Sequence, residues 1–167
     1  KILFLVSLAA LFLAGRAARA QEPEKIRNTM AVGAAYLGGQ VRYFFNPKWA
    51  GELRYLTGTI ATGAGSTTSH VLGLRGYRVF KMKGPYRPYL GAEAALINSS
   101  GSEAGVFYKS AGFAGGGFGG LEYRFADRFS ATVDIGPYIF RVKEKDAKVT
   151  STSLDFIANA AINFYLF

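Results

Sequence analysis

Nine ionisable residues stand alone in otherwise uncharged segments, and their types allow ion pairing. Four are arginines and five are carboxylates, so their charges nearly cancel. In an enclosed space of low dielectric an unpaired charge is costly, so we expect these groups to pair. They are Arg42, Glu52, Arg54, Arg75, Glu93, Glu122, Arg124, Asp134 and Asp155. The predicted network joins Arg54, Arg75 and Arg124 with Glu52, Glu93 and Glu122.

Catalytic chemistry has few candidates in this sequence. There is no cysteine and one histidine, His70, which excludes thiolate ligands, a cysteine nucleophile and a histidine-rich metal site. A hydroxyl nucleophile would need His70 as base and a carboxylate behind it. Ser69 points to the other face of the same strand, so only the 66–68 hydroxyls remain, with Glu93 on the next strand. We predict no catalytic site, no metal and no cofactor.

Composition and the first twenty residues set the class of protein. The chain has 167 residues, of which 50% are hydrophobic and 21 are glycine, and this size favours one domain. Residues 2–14 are an apolar run, too short to span a membrane as a helix, and Ala18-Arg19-Ala20 follows as a cleavage site. We therefore predict a signal peptide at 1–20 and a domain at 21–167. Because an exported chain does not meet cytoplasmic nucleic acid, its basic excess favours anionic lipid headgroups as partners.

The rest of the chain alternates apolar and polar residues with period two, the pattern of strands. From Phe129 to Phe140, for example, apolar residues hold the odd positions and Ser130, Thr132 and Asp134 the even ones. Tight breaks at 46–49, 81–87 and 126–128 alternate with a short break at 38–39 and longer polar ones at 61–69, 98–110 and 143–150. Eight strands are predicted, near residues 28–37, 40–45, 50–60, 70–80, 88–97, 112–125, 128–142 and 151–167.

The two faces of these strands indicate the environment. One face is uncharged, and the other carries the lone ionisable residues. In a membrane barrel the apolar face meets lipid and the polar face lines the lumen, and short turns alternate with long loops. Aromatic residues also gather at strand ends, as in an interfacial girdle. The girdle candidates are Trp49, Tyr55, Phe80, Tyr89, Phe125, Phe129, Phe164 and Phe167. The predicted fold is all-β, an eight-stranded antiparallel up-and-down transmembrane β-barrel; a soluble calycin-like ligand binder is the alternative.

The pattern resembles the small outer-membrane barrels of the OmpA, OmpX, OmpW and opacity-porin type. The matching segments are VRYFFNP (41–47), LRGYRVF (74–80), RPYLGAE (87–93), LEYRF (121–125) and NFYLF (163–167). The resemblance implies a place in the outer membrane of a Gram-negative bacterium and recognition of the last strand by the barrel-assembly machinery. Phe167 shares a face with Tyr165 and not with the apolar series that ends at Leu166. This predicts either a bulge near the end of the last strand or a shift of one residue in which its side chains face inward.

A barrel of eight strands has a lumen that side chains can fill. We therefore interpret the ionisable residues as a plug that holds the lumen shut, with a gate or narrow ion path as the alternative. Inward glycines would leave room for the larger side chains; they are Gly73, Gly91, Gly116 and Gly120.

The role is then structural or surface-interacting, and the enzymatic alternative is lipid A modification. Small-molecule transport is a further alternative. The loops could contact lipopolysaccharide or a protein partner through Phe107, Tyr108, Lys109, Lys143, Lys145 and Lys148.

Overall fold

Eight strands make up nearly all of the structure, a computed structural model that describes residues 29–62, 65–80, 84–103, 106–144 and 149–166. The predicted signal peptide, Lys145, Lys148 and Phe167 lie outside these ranges. Within them, no helix is long and apolar enough to cross a membrane. The strands are β1 (Met30–Ala35), β2 (Gly38–Asn46), β3 (Trp49–Thr62), β4 (Gly65–Val79), β5 (Tyr86–Glu103), β6 (Val106–Ala126), β7 (Phe129–Glu144) and β8 (Thr150–Leu166).

The strands form one closed antiparallel barrel in sequence order, which confirms the predicted fold class. Closure comes from pairing of the first strand with the last, with Met30 opposite Leu166 and Ala35 opposite Ala161. The ladder between β1 and β8 ends at Ala161, so β8 extends beyond β1 from Thr150 to Ala160. The β8 register is regular to Leu166, so the predicted bulge is absent up to that residue and Tyr165 points into the lumen, fully buried.

Successive side chains of a strand point alternately into the lumen and outward, as the period of two predicts. On β7, Ser130, Thr132 and Asp134 are buried inside, whereas Ile135 and Ile139 are more than half exposed outside. An exposed apolar exterior around a polar interior is the arrangement of barrels that sit in lipid.

The two ends of the barrel differ. The connections β2–β3, β4–β5 and β6–β7 define what we call the turn-side end, and the other four connections define the loop-side end. At the turn-side end, Asn46 Oδ1 accepts hydrogen bonds from the backbone N–H groups of Lys48 (2.8 Å) and Trp49 (3.0 Å), which closes a tight turn.

The longer predicted loops at the loop-side end were largely wrong. Residues 98–103 pair with both β4 and β6, and β7 and β8 continue to Glu144 and from Thr150. Residues 98–103 are rich in serine and glycine, which are typical of loops, but the neighbouring strands supply hydrogen-bond partners for their backbone. The first turn is also corrected: it lies at 36–37, and Gly38 and Gly39 belong to β2.

Candidate functional site

Arg75 on β4 is the centre of an ion-pair network in the middle of the lumen. Its guanidinium lies 3.1 Å from Glu52 Oε1, 3.4 Å from Glu93 Oε2 and 2.9 Å from Asp134 Oδ1. The guanidinium carbon also lies 3.6 Å from the centroid of the Phe118 ring. Arg75 is 3% exposed, so all three contacts form away from water, where charge pairing is strong.

Two further arginines extend the network to both sides. Arg54 donates two hydrogen bonds of 2.6 Å to the two oxygens of Glu93, a bidentate pair. Arg42 pairs with Glu52 at 2.9 Å and reaches Glu122 Oε1 at 3.6 Å. Strands β2 and β6 lie opposite each other in the ring, so the Arg42–Glu122 contact spans the lumen.

Arg124 is a correction to the predicted network. Among the described residues it has no carboxylate within ion-pair distance, and its guanidinium packs 4.4 Å from the centroid of the Tyr165 ring. Arg87 takes that place, with Nη1 3.6 Å from Glu122 Oε2. Arg87 lies in the predicted turn at 81–87; its even spacing from Glu93 is the signal that it belongs to the strand, because that spacing places both side chains on the same face.

Tyr89 and Asp155 are also corrected. Tyr89 is not an interfacial aromatic: it is 3% exposed, and its hydroxyl donates to Asp134 at 3.1 Å. It lies four residues before Glu93, and this even spacing places it in the lumen. Asp155 has an inward position on β8, but it is exposed near the loop-side end, where the hydroxyl of Ser153 donates to it at 3.0 Å.

Tyrosine hydroxyls donate hydrogen bonds to the lumen carboxylates, a feature absent from the predicted network. Tyr138 donates to Glu93 at 2.7 Å, and Tyr165 donates to Glu122. With Tyr89 on Asp134, three of the four ion-paired lumen carboxylates in the described part of the chain have a tyrosine donor. Such donors satisfy the oxygen lone pairs that the arginines leave unpaired.

Apolar layers lie on both sides of the network. Toward the turn-side end the rings of Phe44, Tyr77 and Tyr165 are at most 2% exposed. Toward the loop-side end, Ala95, Ile97 and Ala114 form a second buried cluster with Val71 and Phe140. Between these clusters Arg75, Glu52 and Asp134 are at most 6% exposed, so the centre of the network is shielded from water.

The inward glycines lie beside the large lumen side chains, as expected. A Cβ added at Gly116 would lie 2.7 Å from Tyr138 Cγ, and Gly73, Gly91 and Gly120 are similarly crowded. We expect Gly116→Val to destabilise the barrel by about 1–3 kcal/mol through overpacking. Gly76→Val is the control, because no atom of the described residues lies within 4 Å of its added Cβ. Urea titration of both variants in lipid vesicles measures the difference in stability, and equal unfolding midpoints would contradict the overpacking.

The remaining aromatic candidates lie on the outer face. Trp49, Phe80 and Phe129 are exposed, Phe125 and Phe164 partly so, and Phe129 contacts the rings of its two neighbours. Arg78 lies over Trp49, 6.0 Å from the ring centroid. Together these residues lie near the turn-side end, whereas Tyr55 lies further along β3 toward the loop-side end.

His70 faces outward and is exposed. Its Nδ1 lies 2.7 Å from the Tyr55 hydroxyl and 3.3 Å from the Thr57 hydroxyl. Ser69 faces the lumen and bonds Ser99, and Glu93 is inside the barrel. Among the described residues, the structure therefore brings no carboxylate to His70 in the arrangement of a catalytic triad.

The loop candidates separate into two groups. Phe107 is 83% exposed, and Lys109 and Lys143 are exposed. Tyr108 is corrected: it alternates with its neighbours, points inward and shares a hydrogen bond with Thr67 of β4, over the intervening strand β5. Beside it lies an open cavity of about 410 Å³, lined by Tyr108, Ser110, Val142, Glu144, Val149 and Ser151.

Solved structures provide the comparison, since no family model and no curated protein matches the chain. The N-terminal β-barrel domain of OprF from Pseudomonas aeruginosa superposes with a TM-score of 0.64 at 17% identity, covering 84% of this chain and 98% of that one. Neisserial surface protein A gives 0.56 at 17% identity, covering 81% and 92%. The fold is that of a small eight-stranded outer-membrane β-barrel. At this identity the likeness concerns the fold, so the function must be argued from the lumen and the surface.

Proposed function

We propose that the chain is an integral outer-membrane protein whose lumen is closed by the ion-pair network, and that it serves envelope structure or surface contacts. One observation carries the proposal: side chains from opposite walls meet inside the barrel. Arg42 reaches Glu122 across the full ring, and Arg75 reaches Asp134 from three strands away. Breaking such a buried pair is costly, so the network favours a closed lumen over a conducting one.

The surroundings follow from the same proposal. The chain is exported by a signal peptide at 1–20, assembled by the barrel-assembly machinery and held among outer-membrane lipids, including lipopolysaccharide. The loop-side end would carry any protein partner, through exposed residues such as Phe107 and Lys109. We propose no catalytic activity, because the outward His70 has hydroxyl partners and no carboxylate among the described residues.

Conductance tests the closed lumen. The wild-type barrel is expected to give no discrete current steps in planar bilayers. Arg42→Ser with Phe44→Ser removes a cross-lumen cation and the ring beside it, so this variant is expected to conduct. The control is Val41→Ser with Tyr43→Ser, which changes the outward face of the same strand.

Recovery in isolated outer membranes shows where each barrel resides. Heat-dependent mobility of the same samples on SDS gels shows that it is folded. Steps from the folded wild type would instead favour the narrow-pore alternative. A soluble periplasmic protein without a mobility shift would contradict the outer-membrane assignment and favour a calycin-like ligand binder.

A further inference from the structure

Acidic and basic side chains are sorted between the two faces of the barrel wall. Each strand aspartate or glutamate with a described side chain occupies a lumen-facing position. Among the described residues of the loop-side half, three cations face outward: Lys109 on β6, and Arg141 and Lys143 on β7. All are exposed, and within those ranges none lies within ion-pair distance of a carboxylate.

The register brings these cations to one patch, which we call the basic rim (Lys109, Arg141 and Lys143). Arg141 and Lys143 are successive outward residues of β7. Lys143 is opposite Ala111 on β6, and Lys109 is two residues along from Ala111 on the same face. Lys109 and Lys143 are therefore diagonal neighbours, with backbones about 7–8 Å apart. On β8, the hydroxyl residues Thr152 and Thr150 are opposite Arg141 and Lys143.

An apolar row lies directly next to the basic rim on the side of the barrel centre. Ile139 and Leu154 are opposite each other and are 54% and 65% exposed, and Phe156 continues the row at 72%. The outer face of β7 thus changes from aliphatic to cationic over two residues. The loop-side outer face of β3 and β4 differs, because it presents Thr59, Thr68 and His70 without Lys or Arg.

We propose that the basic rim binds the phosphate groups of a phosphorylated glycolipid in the outer leaflet, with its acyl chains along Ile139 and Leu154. Arg141 supplies a planar donor pair suited to phosphate oxygens, and the lysines supply further positive charge. The apolar row favours a lipid over a free anion, because a free anion gains nothing from it. The inference rests on the proposed function, since it needs the barrel to lie in the outer membrane with its tight turns at the periplasmic side and the loop-side end at the cell surface.

Lipid binding to the refolded barrel in detergent tests the proposal, with diphosphorylated lipid A as the probe. Arg141→Gln with Lys143→Gln is expected to weaken binding at least ten-fold, and Lys109→Gln a few-fold. Lys48→Gln with Arg78→Gln, which removes two exposed cations at the turn-side end, is the matched control and should bind as wild type does. Dephosphorylated lipid A lacks the groups that the rim would bind. It should therefore bind the wild type and the rim variant equally weakly.

Three results would overturn the proposal: unchanged binding by the rim variant, equal binding of the dephosphorylated lipid, or displacement of the lipid by inorganic phosphate alone. Heat-dependent gel mobility confirms that each variant is folded. If the wild type is a heat-modifiable outer-membrane protein and the rim variant still binds normally, only this inference fails. If the wild type is recovered as a soluble periplasmic protein, the proposed function fails and the outer-leaflet site with it.

Discussion

Arg75→Met is expected to lower the free energy of unfolding by about 3–5 kcal/mol, the usual cost of removing one member of a buried ion pair. Arg75 contacts Glu52, Glu93 and Asp134. Glu52 and Glu93 would keep Arg42 and Arg54, but among the residues that the structure describes Asp134 would keep only neutral donors, Tyr89 and Asn159. The variant therefore leaves a buried carboxylate without a cation. Guanidinium titration of the barrel in lipid vesicles measures the loss.

Two further variants separate this cause from a general effect of losing an arginine. Arg78→Met removes an exposed arginine from the outer face of the same strand, where it lies over Trp49, and its effect should stay within about 1 kcal/mol. Adding Asp134→Asn to Arg75→Met removes the unpaired carboxylate and should recover part of the lost stability. Equal stability of the Arg75 and Arg78 variants would show that the network contributes little.

Ile135→Lys is expected to cost about 2–4 kcal/mol when the barrel is embedded in a bilayer, because it places a cation on the lipid face near the middle of the membrane. Ile135 is outward-facing, 58% exposed and central in the apolar part of β7. Trp49, the single tryptophan, lies exposed on the outer face, so its fluorescence follows both insertion and unfolding in vesicles.

Phe107→Lys is the matched control for lipid contact. It also replaces an exposed apolar residue by lysine at an outward position, but close to the β5–β6 connection, beyond the apolar band. Its effect should be within about 0.5 kcal/mol. If the two lysines had the same small effect in vesicles, the outer face of β7 would be in water and the membrane assignment would be wrong.

Alternation alone was enough to predict how most side chains face. Ser130, Thr132 and Asp134 are inside because a strand turns successive side chains to opposite faces, and that rule needs no tertiary information. The same rule applied to β5 from Glu93 would have placed Tyr89 and Arg87 in the lumen. At these two positions strand phase is therefore a stronger signal than aromatic clustering or a predicted turn.

Strand length was less predictable. Residues 98–103 have a composition typical of loops, yet they form a ladder because β4 and β6 both extend beside them. A strand that continues beyond the apolar band needs no hydrophobic residues, only backbone partners. Local periodicity therefore predicted the number of strands, and local composition did not predict their ends.

The sequence by itself determined the strand count, the inward position of the charges and their near balance of sign, since these follow from local periodicity and residue type. Only the tertiary structure decided which charges pair. Arg42 meets Glu122 because closure of the ring places β2 opposite β6, a relation between residues eighty positions apart. Arg124 lies on the same face but packs against Tyr165. Pairing depends on register and on the width of the lumen, and both are set only when the first strand pairs with the last.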